Sequence, residues 1–232
     1  MLKIDNVNYN LEGKNALISG GTHGIGLEIV RDLAKHGCNI SFFSRDRKKV
    51  NSLANELKKK DIKYFGFQYD VLSKKNSSSV INKITKKFGS IDILINNVGG
   101  GGRWGSNDFE KTPLKTWEEV YQKNTLAAIT LTNAVLPSMI LKKWGRIINI
   151  SSILGKEGEG RPWFMMAKAA QNTMIKSYSH NKSYSNLGIT FNTVSPGGIY
   201  IKGTGYEKEM KKNPNKFKKY VQDNYPLGRM GK

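Results

Sequence analysis

The sequence predicts an α/β fold, a doubly wound parallel sheet in a single domain. Three observations carry this expectation. Short apolar runs alternate with amphipathic segments along the whole chain. The first apolar run passes directly into a glycine-rich turn and then a helix. The chain has 232 residues, which suits one sizeable domain, since domains commonly run to ~100–200 residues and large α/β domains exceed that. No Pro/Gly/Ser linker divides it.

Taken in order, strand-like apolar runs are expected at 15–19, 39–44, 64–69, 91–95, 146–150 and 188–194. Helix-like segments lie between and after them, at 24–36, 47–60, 77–88, 116–143, 164–185 and 207–224. The helix at 24–36 follows the glycine turn. That at 47–60 starts after Asp46, a residue type that caps helix N-termini. Short strands alternating with periodic helices make βαβ units, and their right-handed crossovers set the winding. The expected strand order is 3-2-1-4-5-6.

Composition bounds the function. Hydrophobic residues make up 38% and charged residues 24%, too apolar for a disordered chain. A single cysteine, Cys38, excludes an intrachain disulfide and reads as a small core residue. His36 and His180 have no partner at metal or triad spacing. The first fourteen residues hold no apolar core of a signal peptide. No run approaches ~18 uninterrupted apolar residues, so no membrane span is expected. The default home is a reducing, cytoplasmic one.

The net charge is +20, from 38 Lys+Arg against 18 Asp+Glu. Such a balance can signal nucleic acid. The lysines, however, come as scattered pairs such as Lys74–Lys75, Lys86–Lys87 and Lys142–Lys143, mostly near helix C-termini, where cations suit the dipole. No basic segment interleaved with aromatics is present, and no specific nucleic-acid partner is expected.

The turn Ser19-Gly20-Gly21-Thr22-His23-Gly24-Ile25-Gly26 carries the chemistry. Gly20 suits a tight turn, Gly24 a close backbone approach to a pyrophosphate, and Gly26 close helix–strand packing. The phosphates would rest on the helix N-terminus. At the end of the second strand, Ser44 stands where an acid would select NAD, and Arg45 follows it. A hydroxyl and a guanidinium suit the 2′-phosphate, so NADP(H) is favoured over NAD(H).

The spacing Gly-x-x-x-Gly-x-Gly resembles that of the short-chain dehydrogenase/reductase family, and the likeness runs in order through nearly the whole chain. Asp70-Val71 matches the family's adenine contact. Asn96-Asn97-Val98-Gly99 is close to its Asn-Asn-Ala-Gly. Asn124 resembles the catalytic asparagine. In Asn149-Ile150-Ser151-Ser152, Ser152 is the better candidate for the catalytic serine. Lys168-Ala169-Ala170 resembles the segment of the catalytic lysine. Ser195-Pro196-Gly197, with Ile199, matches the loop that closes over the nicotinamide. The resemblance implies a Rossmann-type sheet and hydride transfer between a nicotinamide and a carbonyl or alcohol substrate. It also implies a homodimer or homotetramer formed through the long helices at 116–143 and 164–185.

Two departures stand out. The family's proton donor is a tyrosine four residues before the lysine, and here that position is Phe164, which has no proton to give. Three accounts stay open: an exchanged tyrosine, an enzyme using another acid, or an NADP(H)-binding pseudoenzyme or sensor. The second departure is the end, Pro226 to Lys232, which resembles a family segment followed by one more helix and strand. Trp163, Met165 and Met166 read either as pocket lining or as core. The loop Gly100–Gly102 with Arg103-Trp104 reads as a cover over the substrate or as a loose connection. The 157–161 stretch is a further candidate for the pocket wall.

Overall fold

In a computed structural model of the chain the described residues are 9–73, 77–158 and 160–232, with backbone alone at 77–79. The Lys74–Lys75 pair and Glu159 of the 157–161 stretch lie outside them. The chain divides into two compact units, residues 1–194 and 195–232.

The first unit holds the sheet. Its strands are β1 (Asn15–Ser19), β2 (Asn39–Ser44), β3 (Tyr64–Gln68), β4 (Ile93–Asn96), β5 (Gly145–Ile150) and β6 (Ile189–Val194). They lie in the order β3-β2-β1-β4-β5-β6, and every pairing is parallel. Helices α1 (Gly24–Lys35), α2 (Arg47–Leu57), α3 (Ser77–Phe88), α4 (Leu114–Tyr121), α5 (Ala127–Lys142), α6 (Pro162–His180) and the short α7 (Lys182–Ser185) connect them.

Helices on both faces explain why the strands read as continuous apolar runs rather than alternating ones. Successive strand side chains point to opposite faces. Leu17 and Leu94 therefore join Ile147, Val135, Met139 and Ile175 in one core. Ala16, Ile18, Ile93 and Ile95 join Val30, Phe42, Val50 and Leu53 in the other. Cys38 is fully buried in the second core. Asp46 caps α2 as expected, accepting from the Lys48 and Lys49 amides at 2.9 and 3.1 Å.

The structure divides the long helical segments more finely than periodicity suggested. The run 116–143 is α4 and α5 joined by a π-helical turn, Gln122–Leu126. The segment 164–185 breaks at Asn181, whose side chain caps α7 by accepting from the Ser183 amide. In the second unit, 207–224 breaks between α8 (Gly205–Lys212) and α9 (Pro214–Asn224). Pro214 cannot donate to a preceding turn but suits the first turn of a new helix, and Asn213 caps that helix through the Lys216 amide.

The continuous run 114–142 is long and apolar enough to cross a membrane by length and composition. Polar residues such as Gln122, Asn124 and Asn133 interrupt it, so it is no unbroken apolar stretch. Half of its apolar window is buried inside the fold, where α5 packs on α3, β4 and β5.

Candidate active site

The C-terminal ends of β1 and β4 meet at the glycine turn. Gly20 adopts φ +69°, a left-handed conformation that side chains disfavour. Ser19 Oγ accepts from the Asn97 and Val98 amides at 2.8 and 3.0 Å. The Asn97 side chain donates back to the Ser19 and Gly20 carbonyls at 2.9 and 3.2 Å. Asn97 thus braces the turn with its side-chain amide. Any Cβ on Gly26 would strike that amide and the Gly20 carbonyl, so Gly26 serves close packing, as read from the sequence.

His23 is the N-cap of α1 and makes no side-chain cap hydrogen bond, and the first turn holds no acid. Free amides without a competing carboxylate make an anion-binding end. Thr22 is buried, while Ile25 packs into the core beneath the turn.

Arg45 is exposed, and its guanidinium has no ion pair or hydrogen bond among the described residues. Its backbone is held by Gln68, which donates to the Arg45 carbonyl at 2.8 Å. Ser44 Oγ makes one long bond, 3.4 Å, to the Asp46 carbonyl. Beyond β3, Asp70 accepts from the Leu72 amide at 3.0 Å, and Val71 packs on the first core.

A residue that sequence reasoning passed over joins this corner. Lys123, in the π-helical turn, is buried. Its ammonium stands 4.8 Å over the Trp104 ring and has no anionic hydrogen-bond partner among the described residues. Burial lowers its pKa first, the Arg45 charge lowers it further, and Asp70 opposes both. Its signal was a lysine directly before Asn124, the one charged residue between positions 120 and 141.

The catalytic candidates converge where the π-helical turn meets α6 and the end of β5. Asn124 is fully buried. Its Nδ2 donates to the Gly100 and Val120 carbonyls at 2.8 and 2.7 Å, and its Oδ1 accepts from the Gly100 amide at 3.1 Å. Lys168 Nζ donates to the Ile150 carbonyl at 3.0 Å and to Gln171 Oε1 at 2.8 Å. Burial draws its pKa down to about 7. Gly99 closes on both groups: a Cβ there would lie 2.8 Å from Asn124 Oδ1 and 3.1 Å from Lys168 Nζ.

The two serines separate by role. Ser151 is buried and donates to the Lys168 backbone carbonyl at 3.2 Å. Ser152 is partly exposed and accepts from the Leu154 amide at 3.2 Å, which leaves its own proton available. Phe164 lies one turn before Lys168, its ring centroid 5.8 Å from Nζ, and it faces the backbone of Gly102.

Trp163 belongs to the core. It is fully buried, packs edge-on against Trp117 at 5.4 Å, and donates to the Gly101 carbonyl at 3.2 Å. Met165 is partly buried against Gly160, and Met166 is 44% exposed. The 100–107 segment is no loose connection. Arg161 fastens it by donating to the carbonyls of Trp104, Gly105 and Ser106 and to Asn107 Oδ1. Pro196, Gly197 and Ile199 lie in the second unit, where Ile199 bridges Gly231 in parallel.

Comparisons with known proteins show the family and the fold. The sequence profile described as short chain dehydrogenase matches residues 14–214. The chain is 31% identical over 225 residues to 3-oxoacyl-(acyl-carrier-protein) reductase FabG of Aquifex aeolicus, covering 95% of this chain and 86% of that protein. It is 31% identical over 222 residues to the FabG of Haemophilus influenzae, with the same coverage. Among solved structures, L-sorbose reductase of Gluconobacter frateurii, complexed with NADPH and L-sorbose, is similar with a TM-score of 0.84 and 26% identity, over 95% of this chain and 85% of that one. Actinorhodin polyketide ketoreductase with NADPH is similar at 0.83 and 26%, over 94% and 85%.

Proposed function

Because the chain belongs to the short chain dehydrogenase family of oxidoreductases, we propose that it binds NADP(H) at the ends of β1, β2 and β4 and works on a small carbonyl or alcohol substrate. The observation that carries this reading is the clustering of Asn124, Gly99 and Lys168, in a fold whose glycine turn opens a helix with no acid in its first turn. Two similar enzymes of solved structure hold NADPH. The residues suit such a group. The α1 amides meet the pyrophosphate, with the glycine turn allowing close approach. Arg45 and the buried Lys123 supply positive charge where an adenosine 2′-phosphate would lie. Asp70, Val71 and Asn97 complete the proposed cofactor contacts of the first unit.

Bound NADPH supplies a hydride. In this reading the Lys168 ammonium donates to the nicotinamide ribose, for which it keeps one N–H beyond those on Ile150 and Gln171. Ser152 Oγ–H holds the substrate carbonyl, and Asn124 fixes the backbone of Gly100. Phe164 moves no proton.

A second reading, an NADP(H)-binding protein with impaired catalysis, is favoured by Phe164 specifically. One experiment separates the two. Dissociation constants for NADPH and NADH are measured by nicotinamide fluorescence, followed by NADPH oxidation against a panel of ketones. Tight NADPH binding with turnover supports the enzyme, and binding without turnover supports the second reading. No binding of either nucleotide removes both. In both readings the chain works in the cytoplasm as a homo-oligomer, with the exposed Leu126 and Leu141 of the long helix as contact candidates. Light scattering tests the assembly.

A further inference from the structure

Gln171 has no place in the scheme above, yet it is fully buried and bonded at both ends. Its Oε1 accepts from Lys168 Nζ at 2.8 Å, and its Nε2 donates to the backbone carbonyl of Asn124 at 2.8 Å. It stands one turn after Lys168, on the helix face shared by Phe164, Lys168, Gln171 and Ile175. A long polar side chain at a core position costs free energy unless its hydrogen-bonding capacity is used. Here both ends are used on groups of the candidate site.

We infer that Gln171 is the positioning residue of this site: it fixes the Lys168 side chain against the π-helical turn and favours its ammonium form, so that the free N–H faces the cofactor. The inference rests on reading the site as one for NADP(H), and it names what controls that site's charge.

The charges around Lys168 support it. From β5 it meets the Ile150 carbonyl and from its own helix Phe164 and Gln171, while Gly99, in the loop after β4, faces both it and Asn124 of the π-helical turn. None of these ionises. Lys123, the nearest charge on the π-helical turn, is directed to Gly100 and Trp104. Burial is what lowers the Lys168 pKa, and no neighbouring charge acts with or against it. The balance between ammonium and amine therefore rests on two neutral acceptors, of which only Gln171 is a side chain. An acceptor facing an ammonium stabilises the charged form and raises its pKa.

The test follows the Lys168 titration by the lysine 13Cε resonances, assigned with Lys168→Met, in the parent, Gln171→Met and Gln171→Glu. NADPH dissociation constants are measured from pH 6 to 9 in parallel. In Gln171→Met the Lys168 midpoint should fall by about one unit as an acceptor of its proton is lost. In Gln171→Glu it should rise above the parent's. The pH at which NADPH binding weakens should move with each. Should the variants not fold, the parent decides: the Gln171 side-chain amide resonance should shift with the Lys168 midpoint, and lose that shift in Lys168→Met. Variants that lower only the melting temperature, with both profiles unmoved, would make Gln171 a packing residue and overturn the inference. So would a Gln171 amide blind to the titration. If the midpoint moves as stated but no nucleotide binds, the NADP(H) reading falls while the role of Gln171 stands.

Discussion

Restoring a hydroxyl at position 164 is the sharpest perturbation of this site. Phe164→Tyr adds one oxygen to a half-buried ring that already lies 5.8 Å, centroid to nitrogen, from Lys168 Nζ. The ring faces Gly102, the residue with least to displace. A positioned general acid is worth ~10²–10⁴-fold in rate, or about 3–5 kcal/mol of barrier. The charge on Lys168 sets how the gain varies with pH. A tyrosine here is activated only by a charged neighbour, and Lys168, drawn down to about 7, is ammonium in about half the molecules at pH 7. The gain should therefore lie within that range at and below pH 7 and shrink as the pH rises above it. The assay is NADPH oxidation against a ketone panel, with parent and variant side by side from pH 5.5 to 8.5. A parent already fast and indifferent to the substitution would show that another acid serves. A variant that binds NADPH yet stays inert would show that Asn124, Ser152 and Lys168 are not in working geometry.

Arg45→Ala should weaken NADPH by about 5–30-fold, the low end of a charged hydrogen bond because the group is exposed, and leave NADH unchanged; equal losses would remove its role in the 2′-phosphate contact. Trp163→Ala empties a fully buried site that Trp117 and Phe109 pack against. It should cost ~3–5 kcal/mol, read by urea unfolding, and a loss under ~1 kcal/mol would mean the 100–107 segment collapses onto the gap. Lys168 binds its proton less well when folded, at about 7, than at its ordinary 10.5. The unfolded chain thus holds more protons between those values, and stability should rise with pH across that window by up to ~1.4 kcal/mol per unit. Lys168→Met should lack that part of the slope in denaturant titrations at pH 6, 8 and 9.5, and identical slopes would sink the argument.

Much of this was legible because it is local. A parallel strand buried on both faces writes an apolar run, as in Ala16-Leu17-Ile18, and a helix entered from a tight turn writes its glycines. Asp46 was readable as a cap for the same reason. The likeness to a known family was carried by short motifs, and those are where Asn124, Ser152 and Lys168 were found. What stayed hidden depends on distant partners. Lys123 and Gln171 look like ordinary helix residues until folding sets one over Trp104 and the other between Lys168 and Asn124. Arg161 gives no sign that it fastens a segment more than fifty residues earlier. The break at Asn213-Pro214 is legible in the proline, which opens helices, but the helical spacing on either side runs continuously across it.

The π-helical turn at 122–126 has a consequence for how this chain can vary. It sets one more residue into a turn than an α-helix does, and a residue of α-helix rotates everything beyond it by about 100°. Removing a single position there would leave α4 and α5 individually intact while turning one against the other by more than a quarter of a circle. The stripe Leu131, Val135 and Met139 would then leave its core, or Asn124 would swing off Gly100 and Thr125 off the Ala167 carbonyl. The segment therefore works as a phase setting between two helices. Its residue types have some room to change, but its length has none: an insertion or deletion of one residue here should be far more damaging than most substitutions at the same positions.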